Sequence, residues 1–251
     1  MRIAVAGSTG ALGQHVVAQL EEAGHEAVPL SRSTGTDLTA PDVAATLPAR
    51  LEGADAVVDV SGTNVLSGGA SRAFFGDVTR ALLAAEREAG VPHHVAVSIV
   101  GAARVPVGYY AGKALQEQIV TAQDGGWSLL RATQFHEIAA QLLSRTSLGP
   151  LHLVPTMRSQ PVAASEVAAE LVAIATGEPR GLVPDLAGPR EERMADLARR
   201  LLVAQGRRHA VLEVPLPGAW GRGMRDGSLL PESGARLGRQ TFDEWLAARH
   251  L

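Results

Sequence analysis

The sequence predicts an α/β fold, a doubly wound parallel sheet with a small C-terminal lobe. Three observations lead there. Short apolar, β-branched runs alternate with amphipathic helical patterns as far as residue 132. A glycine-rich turn, "GSTGALG" (7–13), joins the first such run to the first helical pattern. Past Phe135 the alternation weakens into helical patterns separated by Pro- and Gly-containing loops.

Taken in order, "RIAVA" (2–6) is a strand that stops at Gly7. A helical pattern follows from Leu12 to Leu20 and ends at Gly24. "EAVPLS" (26–31) is the second strand, "TDL" (36–38) a stub of another, and 41–52 a helix. "DAVVDV" (55–60) is a buried strand, and 70–89 a long helix with Phe74, Val78, Leu82 and Ala85 on one side. Strand "HVAVSI" (94–99), helix 109–123 and strand "WSLLRA" (127–132) complete a dinucleotide-binding core of residues 1–135. Residues 136–251 then form the substrate lobe of the same domain. Its helices are expected at 136–146, 165–176, 191–204 and in the closing "FDEWLAARH", with strands at 151–154 and 210–214.

Composition narrows the function classes. With 23 Lys and Arg against 26 Asp and Glu, the net charge of -3 offers no basic excess for nucleic acid. The absence of cysteine excludes disulfides, thiolate catalysis and Cys-ligated zinc. No His/Asp/Glu motif at ligand spacing points to a metal, and "VSG" (60–62) lacks the flanking residues of a nucleophile elbow. The adjacent His93 and His94 read as one solvated and one packed imidazole. The N-terminus lacks a signal peptide's long apolar stretch, and no run of about 18 apolar residues would span a bilayer. The expectation is a cytoplasmic protein with a small-molecule substrate and no membrane or nucleic-acid partner. The sequence sets no oligomeric state.

Ligands of such a sheet sit beyond the carboxyl ends of its strands, here near Gly7, Ser31, Ser61, Ser98 and Ala132. Gly7, Gly10 and Gly13 leave room for a phosphate at the backbone amides, and the helix start supplies unpaired N–H groups. The whole loop, Gly7, Ser8, Thr9, Gly10, Ala11, Leu12 and Gly13, is therefore the candidate pyrophosphate cradle. The second strand ends in Ser31 and Arg32, with no acid to bind a ribose 2′-hydroxyl. An Arg there favours a 2′-phosphate and hence NADP(H) over NAD(H). Asp37 and Leu38 fall on the adenine side. Ser61, Gly62, Lys113, Ala132 and Thr133 are further cofactor contacts, Lys113 at the nicotinamide ribose, and Phe135 and His136 are candidate substrate contacts, with a satisfied surface or loop histidine as the alternative for His136.

The chain has one lysine, Lys113; its other 22 basic side chains are arginines. Lys113 follows Tyr109 by four residues, so on a helix the two share a face. An ammonium near a phenol lowers the phenol pKa and readies it to give a proton to a carbonyl oxygen. Ser98, at a strand end eleven residues earlier, would orient that oxygen.

"GSTGALG", "VAVSIVGA", "YYAGK" and "LLRATQF" together resemble the short-chain dehydrogenase/reductase superfamily, and more narrowly its atypical, NmrA-like NAD(P)H-binding branch. The resemblance spans about residues 1–135 and implies a Rossmann fold, a Ser98–Tyr109–Lys113 active site and hydride transfer from nicotinamide. Two motifs depart from the main branch. "LLRATQF" stands where a Pro-Gly is usual, and "SGT" (61–63) where Asn-Ala-Gly is usual, with Asn64 one residue beyond. The leading expectation is an NADPH-dependent oxidoreductase acting on a carbonyl, quinone or similar molecule. The alternatives are a cofactor-sensing binding protein of the NmrA-like kind, and an epimerase or dehydratase that keeps its cofactor.

Overall fold

The computed structural model describes residues 1–249 and divides into two compact units, 1–131 with 164–184, and 132–163 with 185–249. The first unit is thus not one continuous stretch ending at 135. Segment 164–184 returns to it.

In the first unit, strands β1 (Arg2–Ala6), β2 (Glu26–Leu30), β3 (Ala56–Asp59), β4 (His93–Ile99) and β5 (Gly126–Ala132) lie in the order β5-β4-β3-β1-β2. The pairs β1–β2, β1–β3 and β3–β4 are parallel, and Gly181–Leu182 adds a short parallel pairing to β5. Helices α1 (Gly13–Glu22), α2 (Val43–Leu51), α3 (Gly68–Ala89) and α4 (Tyr109–Thr121) connect the strands, and α6 (Ala164–Ala175) joins α1. Their apolar faces explain the layering. Val43, Leu47 and Leu51 of α2 and Val78, Leu82 and Ala85 of α3 bury against Ala4, Ala6, Leu30 and Val57 of the sheet. On the other face, α1 packs on α6, where Gln19 Nε2 donates to the Ser165 carbonyl at 3.0 Å. Burying each Leu or Val in these layers contributes about 1.5–3 kcal/mol.

The second unit contains α5 (Ile138–Arg145), α7 (Met194–Ala204), α8 (Gly218–Arg225) and α9 (Phe242–Ala247). Strand 151–155 pairs in parallel with 210–214 and antiparallel with 147–148. Leu186–Ala187 pairs in parallel with Arg236–Leu237, and Leu186 with Ala132. Among the described residues, no helix is long and apolar enough to cross a membrane.

Several expectations need correction. Residues 36–38 are not a strand: Asp37 bends the chain by accepting from the Thr39 amide and hydroxyl at 2.9 and 2.7 Å. The helix expected at 191 starts at Met194, after a two-residue pairing of Glu192–Arg193 with Arg158–Ser159. α8 was hidden by its three glycines. His250, included in the expected final helix, lies outside the described residues. His93 and His94 are both buried. His93 Nε2 meets Ser128 Oγ at 2.9 Å, and His94 Nδ1 meets Glu86 Oε1 at 2.8 Å.

Two predictions follow from this packing. α3 and α4 touch at Gly112, where a Cβ would stand 2.2 Å from Ser71 Oγ and 2.5 Å from the Ser71 carbonyl oxygen. Gly112→Ala gains about 1 kcal/mol of helix propensity. Overpacking against backbone costs about 1–3 kcal/mol, so the variant should unfold at lower denaturant than wild type. The second concerns His94. Burial pulls its pKa down, but the Glu86 charge and hydrogen bond, with Asp59, lift it above its ordinary value. A raised folded-state pKa stabilises below the unfolded value of about 6.5 and is lost as pH rises through the folded value. Thermal unfolding of wild type and His94→Gln should therefore converge as pH rises above neutrality, and a constant gap would refute the assignment.

Candidate functional site

The turn after β1 is built by steric necessity. Gly7 has φ +83°, and a Cβ there would lie 2.8 Å from both Ser61 Cα and the Val60 carbonyl oxygen. A Cβ on Gly13 would stand 2.1 Å from the Gly7 carbonyl oxygen, so only glycine lets α1 begin so close to the loop. The Gly7 amide donates to the Leu30 carbonyl at 2.9 Å and the Gly10 amide to the Gly7 carbonyl at 3.0 Å. Leu12 precedes α1 without any side-chain cap, and the Gln14, His15 and Val16 amides donate to the Gly10 and Leu12 carbonyls at 3.0–3.1 Å. Thr9, Gly10 and Ala11 are exposed, while Leu12 is a core residue. The hydroxyls of Ser8 and Ser61 are buried and without a hydrogen-bond partner. Buried hydroxyls normally have one. A glycine cradle with two orphaned hydroxyls fits a dinucleotide pyrophosphate.

Beyond β2, Ser31 is spent locally. It caps a turn of 3-10 helix over Arg32–Thr34, its Oγ lying 3.1 Å from both Ser33 Oγ and Thr34 Oγ1. Arg32 is exposed and makes no ion pair within 4 Å among the described residues. Hydrogen bonds with Thr39, and to a smaller degree the Arg32 charge, hold the Asp37 carboxyl below its usual range. Leu38 belongs to the core cluster beneath the sheet and is a packing residue. Thr36, which sequence reasoning passed over, has a buried hydroxyl without a partner beside this turn.

The α4 residues sit where the heptapeptide "GYYAGKA" places them, one turn apart on the face toward α3. Gly108, at φ +57°, turns the chain into the helix at Tyr109. Ser71 Oγ of α3 donates to the Tyr109 carbonyl at 2.8 Å. The Tyr109 ring meets Phe75 edge-on at 5.3 Å, and a Cβ on Gly62 would lie 3.5 Å from the phenol oxygen. Lys113 Nζ lies 4.3 Å from the centroid of the same Phe75 ring. It donates to the Val97 carbonyl at 3.0 Å and to Gln116 Oε1 at 2.8 Å.

The electrostatics differ from expectation. Burial, then the negative charge of Asp59, pushes the Tyr109 phenol above its ordinary value, against a lowering hydrogen bond with the Thr63 backbone. Lys113 is not among the groups that move it, so the expected lowering is absent. Burial pulls Lys113 down to about 8, while Asp59 and Glu117 act to raise it.

Ser98 is also corrected. The pleat puts it on the same strand face as His94 and Ala96. There its buried hydroxyl donates to Glu117 Oε1 at 2.6 Å, and Arg131 closes a bidentate pair on that carboxylate at 3.0 and 2.7 Å. Ser98 is committed to this internal network instead of a substrate oxygen.

The remaining candidates belong to the second unit. Ala132 is buried, Thr133 Oγ1 donates to the Gln160 carbonyl at 2.6 Å, and Phe135 is half-buried. His136 is buried between Phe242 and Trp245, at 5.7 Å from each ring, and its Nε2–H donates to the Gln240 carbonyl at 3.1 Å. Its hydrogen bond is satisfied as the alternative reading had it, but the ring is buried inside its own unit and not at the surface.

Solved structures of known proteins share this fold. An NADPH-dependent quinone oxidoreductase from Escherichia coli, solved with NADPH, superposes with a TM-score of 0.74 at 18% identity, over 98% of each chain. A UDP-glucose 4-epimerase from Bifidobacterium longum, solved with NAD+ and UDP, gives 0.72 at 14% identity, over 98% of this chain and 96% of that one. A short-chain dehydrogenase/reductase superfamily protein from Agrobacterium tumefaciens with bound NAD gives 0.67 at 18%, over 98% and 95%. At these identities the likeness shows the Rossmann-type fold. No curated protein matches the chain. The profile of the NAD(P)H-binding family, however, matches residues 7–178, more than half of the sequence and the whole glycine turn and Tyr–Lys helix, and the protein belongs to that family.

Proposed function

We propose that the protein is an NADPH-dependent oxidoreductase that reduces a carbonyl, quinone or similar small molecule. The observation that carries this reading is the place of the Tyr109 phenol. It lies beside Gly62, the residue after the Ser61 turn against which the glycine cradle packs. When bound, the reduced nicotinamide supplies the hydride. The loop from Gly7 to Gly13, with the Ser8 and Ser61 hydroxyls, holds the pyrophosphate. Arg32 takes the 2′-phosphate, where its fork matches a dianion and no carboxylate competes within ion-pair distance. Tyr109, which keeps its proton through neutral pH, delivers that proton to the substrate oxygen. Lys113 supplies positive charge one helical turn away.

The sensing alternative gains from one observation. Ser98 and Lys113 are both engaged with protein groups, as a protein that only binds the dinucleotide would allow. NADPH oxidation with a panel of carbonyls and quinones separates the two. Tight NADPH binding without turnover of any substrate supports the sensor and overturns the enzyme.

Three outcomes are expected. Tyr109→Phe should lower kcat by about a hundredfold or more while NADPH still binds, and full activity would remove the phenol from the chemistry. Arg32→Ala should weaken NADPH binding by about tenfold or more through the lost charge-assisted bonds, with NADH binding little changed; equal losses would overturn the NADP(H) preference. Because the Lys113 ammonium is lost as pH rises through about 8, turnover should fall on that alkaline limb. A rate flat across that limb would contradict a role for its charge.

A further inference from the structure

Asp59 ends β3 in the middle of an apolar run, and it is wholly buried. An ionised carboxylate only accepts hydrogen bonds. Its Oδ1 accepts from the Ser61 backbone N–H at 2.9 Å, and its Oδ2 from Gln116 Nε2 at 2.7 Å. Gln116 is also wholly buried. Since the carboxylate cannot donate, the glutamine must turn its NH2 toward Asp59 and its carbonyl oxygen away. That oxygen accepts from the Lys113 ammonium. The chain of bonds has a single direction, and Asp59 sets it.

We propose that Asp59 is a positioning residue for the Tyr109–Lys113 pair: it fixes the polarity of Gln116, which keeps an acceptor on the ammonium, and it holds the Ser61 amide of the turn against which the phenol lies. The inference rests on the roles given above to Tyr109 and Lys113. The groups facing the ammonium are few. β3 contributes the charge of Asp59, and β4 the Val97 carbonyl. α3 contributes the Phe75 ring. α4 itself contributes Gln116 and the charge of Glu117, which β5 answers with Arg131. Asp59 is thus the charge near Lys113 that no arginine neutralises at ion-pair distance among the described residues. It also acts on Tyr109, raising its affinity for a proton.

Exchanging Asp59 for Asn sets two donors against each other. If the new amide keeps its oxygen on Ser61 N–H, its NH2 faces that of Gln116. Gln116 must then turn and present NH2 to the ammonium. Asp59→Asn combined with Gln116→Glu removes the conflict. The asparagine donates to the new carboxylate, whose second oxygen receives Lys113, and net charge is conserved.

Lys113 is the only lysine, so the full-length chain labelled with 13C-lysine gives one Cε signal that follows its protonation. We expect a wild-type midpoint of about 8. Asp59→Asn should shift it down by about one pKa unit or more, a tenfold loss of proton affinity. The double variant should bring it back to the wild-type value or higher. An unshifted single variant, or a folded double variant whose midpoint stays low, overturns the proposal. If the single variant does not fold, the double variant decides alone by the same criterion. In an active protein, the alkaline limb of kcat should move with the NMR midpoint, which a purely structural Asp59 would not cause. If the wild type oxidises NADPH with no substrate, the oxidoreductase reading fails, while the titration still decides on Asp59.

Discussion

One buried ammonium constrains the architecture of the first unit. Taking an unpaired charge out of water costs several kcal/mol, and only well-placed partners offset it. Lys113 has them: a backbone carbonyl, an amide oxygen, the face of an aromatic ring and two carboxylates at longer range. The depressed proton affinity shows that the compensation is partial. A protein that needed only a helix surface there would not carry this cost, least of all one that uses arginine at every other basic position. Arginine could not replace it, because a planar fork of five donors would leave several unsatisfied in the same space.

The packing around α4 serves that group. Gly112 lets α3 approach until Phe75 lies against the ammonium and the phenol ring. Asp59 connects β3 to α4 through Gln116, and its other oxygen holds the turn that meets Gly7. A second set, the buried Ser98 and Glu117 with the partly buried Arg131, ties α4 to β4 and β5. The glycine turn and the Tyr–Lys helix are therefore joined through β3.

The legible parts of the fold were those in which a local rule and the tertiary structure agree. The β1 strand, the glycine turn, α3 and α4 follow from periodicity and from glycine stereochemistry, and their ends agree within two residues. The family resemblance agrees with the match to the NAD(P)H-binding family. Errors arose where a side chain's direction mattered. Ser98 was chosen for its position near a strand end, but strand parity turns it inward. Spacing identifies the cation near Tyr109 but not the buried Asp59 on β3, whose charge raises the phenol's proton affinity. A charged residue inside "AVVDV" was the available signal for that network. Adjacency to a strand or turn suggests ligand contacts at Leu38 and His136, and burial among apolar or aromatic neighbours cannot be read from it.

The most direct measurement is a crystal structure of the protein with NADPH and a quinone or carbonyl inhibitor. The pyrophosphate should lie on the Gly7–Gly13 loop, the 2′-phosphate on Arg32, and the Tyr109 oxygen within hydrogen-bond reach of the inhibitor oxygen beside the nicotinamide. A nicotinamide ring lying away from Tyr109, or a phenol still held only by the protein, would contradict it.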